Sequence, residues 1–148
     1  MSSRIPVTII QAAPDAPVVC DMTTATDTPE ERLKEYERLF GHALVRRART
    51  DNAVVFTFAA KPGVHEWVLD LVRREAACCA FLSYQVELRE REVVWTTSLV
   101  AGSAPPEILD EIYVVAEHFD EGFDGMLARL ADNGVKVSPE AGRFVVDS

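Results

Sequence analysis

Hydrophobic positions along this chain change period several times, and each change marks an element. Val64, Trp67, Val68, Leu71 and Val72 recur at helical spacing, after the breaker Lys61-Pro62-Gly63. Leu33, Tyr36, Leu39 and Phe40 form an earlier stripe of the same kind. That helix is expected to start at Thr28-Pro29-Glu30-Glu31, a capping hydroxyl, a proline at the first helical position and two early carboxylates, and to stop at Gly41. Between the two stripes the period falls to two. Residues 43–49 and 53–60 read as strands joined at Asp51-Asn52, with Val54, Phe56 and Phe58 on one face and Val55 and Thr57 on the other. Residues 84–90 and 92–100 repeat the pattern, with Tyr84, Val86 and Leu88 inward and Gln85, Glu87 and Arg89 outward.

The ends of the chain are less regular. Residues 5–11 predict a strand closed by Ala13-Pro14-Asp15-Ala16-Pro17, and an extended piece at 18–22 carries Cys20. After Gly102-Ser103-Ala104-Pro105-Pro106, a stripe of Ile108, Ile112, Val115 and Phe119, continued by Phe123, Met126, Leu127 and Leu130, predicts one long helix. Gly122 and Gly125 are its weak points. Asn133-Gly134 ends it, and residues 135–137 and 143–146 predict a terminal hairpin. The expected fold is α+β: a four-stranded antiparallel sheet from two helix-strand-strand units, covered by helices including a long C-terminal one. Residues 1–148 read as one domain, with an N-terminal strand and extended segment in 1–27, the two units in 28–100, and the helix and hairpin in 105–148.

Composition narrows the classes of function. The chain is 48% hydrophobic and 26% charged, and no apolar run reaches bilayer length. A net charge of -9 and a pI near 4.8 argue against a nucleic-acid backbone or an anionic membrane as partner. The single basic cluster, Arg46-Arg47-Ala48-Arg49, falls in a predicted strand and reads as a solvated strand face. The apolar stretch ending at Ile10 is too short for a secretion signal, and the cysteine count of 3 is odd; both point to a reducing cytoplasm. A metal ion or small molecule is the expected partner, and a homo-oligomer is compatible with the sequence.

The candidate chemistry lies in sulfur. Cys78 and Cys79 follow Leu71 and Val72 by two turns, which places both on or beside the buried stripe, and Glu75 sits one turn before Cys78. That carboxylate and the helix C-terminus both raise a thiol pKa, whereas a bound soft cation would deprotonate the sulfur outright. A disulfide between the neighbours does not fit an intact helix. If the fold brings Cys20 to them, three soft donors converge and suit Hg(II), Cu(I) or trivalent arsenic; the spacing is not that of a zinc site. Glu117-His118-Phe119-Asp120-Glu121 reads as a solvated acidic helix face, because a di-iron site would need further Glu-x-x-His units. Trp67, Tyr84 and Trp95 are candidates for core or for a pocket between sheet and helices.

The segment Glu75-x-x-Cys78-Cys79-x-Phe81, at a helix end before a strand, resembles the Glu/Cys-Cys-Pro-Phe motif of small bacterial proteins, with Ala80 in place of the proline. It is also similar to the paired-cysteine segment of organomercurial lyases, in which two cysteines and an aspartate cleave a carbon–mercury bond. That resemblance implies Cys20 as the upstream thiol, Cys78 or Cys79 as the downstream one, and Asp21 as stand-in for the aspartate. The resulting expectation is thiol-based binding, and transformation, of a thiophilic metal, metalloid or organomercurial through the vicinal pair Cys78 and Cys79, assisted by Cys20, with Asp21 or Glu75 handling protons. Two other expectations compete with it. One is a non-catalytic small-ligand or protein-binding domain with structural cysteines; the other is redox sensing, with Cys20 resolving an oxidised Cys78 or Cys79.

Overall fold

Period-two alternation builds the centre of the molecule. Strands β3 (Leu44–Arg49), β4 (Ala53–Ala59), β5 (Ser83–Leu88) and β6 (Glu92–Ser98) pair antiparallel, and β1 (Val7–Ile10) adds to the free edge of β5. The order is β1-β5-β6-β4-β3. Register places Tyr84, Thr97 and Val54 in one row across three strands, Val86, Trp95 and Phe56 in the next, and Leu88, Val93 and Phe58 in the third. These rows form the buried face, and Phe56, Phe58, Val86 and Val93 are fully enclosed. The structure, a computed structural model, describes residues 6–13, 16–100, 102–140 and 143–147. Ile5 and the Pro14-Asp15 part of the predicted turn lie outside the described residues.

Helix α1 (Pro29–Ala43) begins as the sequence predicts. The Thr28 hydroxyl accepts from the Glu31 N–H, and the Glu31 carboxylate accepts from the Thr28 N–H. Gly41 does not stop it; the helix runs on to Ala43, where the Leu44 N–H still reaches the Phe40 carbonyl. Its apolar stripe lies on the buried face of the sheet, with the Phe40 ring against Phe56 and Phe58 and the Tyr36 ring against Trp95. Helix α2 (Val64–Cys78) buries Val64, Val68, Leu71 and Val72.

The expected four-stranded sheet under a long C-terminal helix is not what forms. The sheet has five strands, because β1 alternates and β5 has an unpaired edge for it to close. The C-terminal stripe is split into α3 (Glu107–Val114), two 3₁₀ turns at Val115–Glu117 and Phe119–Glu121, and α4 (Gly122–Asp132). The break is anchored at Gly122, whose φ of 65° and ψ of -165° suit glycine and no other residue. The Phe123 side chain, part of the predicted stripe, lies outside the described residues. A second sheet, in the order β2-β8-β7, joins β2 (Val19–Asp21) to the terminal hairpin of β7 (Lys136–Glu140) and β8 (Arg143–Asp147). In it Cys20 lies opposite Phe144.

The basic cluster is paired rather than free. Arg46 binds Glu92, while Arg47 and Arg49 reach over the sheet edge to Glu117 and Asp110 and to backbone carbonyls of Tyr113 and Pro106. These contacts tie β3 to α3 and the turn behind it.

Candidate functional site: a cavity lined by three sulfurs

Two elements deliver the sulfurs. At the end of α2 the Cys79 N–H donates to the Glu75 carbonyl at 2.7 Å, and Cys79 itself leaves helical geometry at φ -119°, ψ 69°. The chain then turns, with the Leu82 N–H on the Cys79 carbonyl, and enters β5. The N-terminal segment is stitched to the same turn: Ala13 N–H donates to the Ala80 carbonyl and Ala12 N–H to the Ser83 hydroxyl. That course carries β2 over the end of α2. Cys20 and Cys79, with Cα atoms 4.5 Å apart and 59 positions of sequence between them, form a disulfide. Cys78 is the free cysteine, and it is buried.

The cysteine couple is therefore Cys20 with Cys79 and not the vicinal Cys78 with Cys79. Cys78 is the last helical residue, whereas Cys79 has already left the helix as its C-cap.

Cys78 meets a buried ionic network instead. Arg32 on α1 is only 2% exposed. Its Nε and Nη2 donate to the two oxygens of Asp27 at 2.6 and 2.8 Å, and its Nη1 donates to Glu75 at 2.6 Å. Arg74 on α2 extends the network to Glu35, Asp27 and Asp70, and the Trp67 indole N–H donates to Glu35 at 2.8 Å. Burial pushes the Cys78 thiol above its ordinary range, opposed by the Arg32 guanidinium beside it and reinforced by Glu75 and Asp27. Tyr36 and Tyr84 are raised further, first by burial and then by the Glu75 charge. Asp27 moves the other way, because its hydrogen bond from Arg32 outweighs the cost of burial.

These groups share a cavity of about 180 Å³ between the main sheet, α1, α3, α4 and the small sheet. Cys20, Cys78 and Cys79 all line it, as do Arg32, Glu75, Tyr36 and Tyr84. The rest of its wall is mostly apolar, drawn from residues such as Ile108, Met126 and Val146. Of the sequence-predicted site residues, Cys20, Cys78, Cys79 and Glu75 are thus brought together. Asp21 is not part of the lining: its carboxylate accepts from the Thr23 N–H at 2.9 Å and the Thr23 hydroxyl at 2.6 Å. Tyr84 and Trp95 line the cavity, while Trp67 belongs to the ionic network.

Arg32 is the residue that sequence reasoning passed over. The signal was present: it stands one turn before Tyr36 and two before Leu39, on the buried stripe itself. The acidic segment holds His118 against Glu121, and Glu121 against Arg129, which also binds the buried Glu111. Among the described residues, no cluster of three or more His, Cys, Asp or Glu side chains is arranged to hold a metal ion, and no helix is long and apolar enough to cross a membrane.

Compared with protein-family models, curated proteins and solved structures, the chain matches none.

Proposed function

We propose that this chain binds a thiophilic metal, metalloid or organomercurial through the sulfurs of Cys20 and Cys79, with Cys78 as a third sulfur on the same wall. The observation that carries this reading is the convergence of all three cysteines, from two distant parts of the chain, on one largely apolar cavity. Thiolates select soft ions, and an ion of two-coordinate preference needs only the one pair. An apolar wall suits a metal that carries an organic group.

The disulfide must open first. A low-molecular-weight thiol supplies two electrons and two protons, leaving Cys20 and Cys79 as thiols and itself as a disulfide. In a reducing cytoplasm the dithiol is the working form. Each thiol releases its proton as the sulfur coordinates. With an organomercurial one further step follows: the carbon–mercury bond breaks, a second sulfur–mercury bond forms, and the proton from the attacking thiol passes through Glu75 to the leaving carbon. Glu75 is preferred to Asp21 for this role because it shares the cavity wall with the sulfurs.

The test is an anaerobic titration of the reduced protein with Hg(II), followed by sulfur-to-mercury absorption in the near ultraviolet. One equivalent should bind per chain, and a Cys20→Ser/Cys79→Ser variant should lose it while Cys78→Ser keeps most of it. Uptake that survives in the double variant would refute the assignment. So would a disulfide that reduces only when the protein unfolds, which is the behaviour of a binding domain with purely structural cysteines.

A further inference from the structure

The same cavity has a second property that owes nothing to sulfur. Its buried charges are already matched: Arg32 by Asp27 and Glu75, and Glu111 by Arg129. The Trp95 indole N–H is matched as well, donating to the Thr97 hydroxyl at 2.8 Å, and the Tyr36 hydroxyl feels the Glu75 carboxylate. Tyr84 differs. It is 3% exposed, it lines the cavity, and among the described residues its hydroxyl makes no hydrogen bond. A buried hydroxyl with no partner forfeits its hydrogen bond to water, so the fold keeps it there at a penalty that a bound acceptor would remove.

Size and charge define that acceptor. An apolar cavity of about 150 Å³ accommodates benzene, and the volume here is about 180 Å³. There is room for one six-membered ring and a small substituent. An anion would add charge to a wall whose ionic groups are Arg32, Glu75 and Glu111, with Arg32 already held by Glu75 and by Asp27 behind it and Glu111 by Arg129, so that no cation is left over. We infer that the cavity binds a neutral, ring-sized apolar molecule bearing one carbonyl-type acceptor, which takes its hydrogen bond from the Tyr84 hydroxyl. Burial keeps that phenol protonated, and hence a donor, across the physiological range. The site exists in the disulfide form, so it stands apart from the thiol chemistry proposed above.

The experiment uses the oxidised protein with Trp67→Phe, in which Trp95 is the remaining tryptophan. Its indole N–H resonance reports on the cavity it lines. Cyclohexanone is titrated against methylenecyclohexane, which has the same shape and no acceptor, and against cyclohexanecarboxylate. Cyclohexanone should bind saturably, and the carboxylate at least about tenfold more weakly. Tyr84→Phe should shift the ketone-to-alkene affinity ratio about tenfold toward the alkene. Absence of saturable ketone binding, an unchanged ratio in Tyr84→Phe, or tight carboxylate binding would each overturn the inference. If the phenylalanine variant does not fold, the carbon-13 carbonyl resonance of bound cyclohexanone decides. It should stay near its aqueous position, and a move to its hydrocarbon position would show that no hydrogen bond forms. Because Cys20 and Cys79 are bonded throughout, failure here leaves Hg(II) uptake by the reduced protein untouched, and the converse also holds.

Discussion

The Arg32 guanidinium reaches the Glu75 carboxylate at 2.6 Å, across 43 positions of sequence, and pins α1 to the last turn of α2. The same guanidinium holds Asp27 through two further hydrogen bonds, so one buried cation fixes the loop before α1 and the helix end that carries Cys78 and Cys79. Alignment of the sulfurs with the cavity depends on it.

Removing that cation should be expensive. Arg32→Met leaves the half-buried Glu75 without its guanidinium and Asp27 with only Arg74 at 3.2 Å, a situation that costs on the order of 3–5 kcal/mol. Urea denaturation should show the loss as a lower midpoint. Restoring balance with Asp27→Asn and Glu75→Gln in the same chain should recover part of it, because the penalty comes from unpaired charge and not from lost volume. A loss of well under 1 kcal/mol would mean that water reaches the carboxylates.

Reduction of the Cys20–Cys79 bond should destabilise the fold without changing it. A bond closing a loop across 59 positions restricts the unfolded chain by about 4 kcal/mol on the loop-entropy account. Unfolding in matched oxidised and reduced samples should differ by 2–4 kcal/mol or so, with the same far-ultraviolet circular dichroism. The dithiol form must remain folded if it is to take up a metal, so complete unfolding on reduction would count against the sulfur-binding reading too.

Acid should act through Asp27 and Glu35. Hydrogen bonding from Arg32 holds Asp27 below its ordinary value of 3.8. Burial raises Glu35, but hydrogen bonds from Arg74 and Trp67 outweigh it and leave Glu35 below 4.5. A carboxyl whose folded pKa is depressed contributes stability that is fully present above the unfolded value and is lost as pH falls through the folded one. Stability contributed by the pair should therefore be flat from neutrality to about pH 5 and fall below about pH 4. Urea midpoints measured across that range should show this, and Glu35→Gln should make the acid limb shallower.

Local signals explain how much of this was legible beforehand. The starts of α1 and α2, the alternation of β4 and β5 and the inward Tyr84 follow from spacing within a dozen residues, and the structure keeps them. The strand at the N-terminal end was expected, but its place as the fifth strand of the sheet was not, because its partner β5 lies more than seventy positions away and pairs through backbone groups that carry no residue identity. The long C-terminal helix was over-read because the apolar stripe does continue past Val114; what interrupts it is backbone conformation, fixed at Gly122. Arg32 could have been found as a charge on an apolar stripe. Its partners, and the approach of Cys20 to Cys79 in place of Cys78, depend on the crossing of β2 over α2, which no spacing encodes.

The distribution of thiols offers the most direct check on the site. With 3 cysteines and one disulfide, the oxidised chain should show one titratable thiol after denaturation and three after reduction. In the native oxidised protein the single thiol is Cys78, which is buried and whose pKa is raised chiefly by desolvation. Both effects slow alkylation, since only the thiolate reacts and the reagent must reach it. Iodoacetamide should therefore label Cys78 at neutral pH far more slowly than a free thiol, with a rate that climbs as pH rises past the ordinary thiol range. Arg32→Met should change that rate in a direction that separates two causes. Loss of the guanidinium removes the main influence lowering the Cys78 pKa, so a chemically controlled reaction slows further. A faster reaction would mean that access governs it and that Arg32 acts on Cys78 by closing the packing around it.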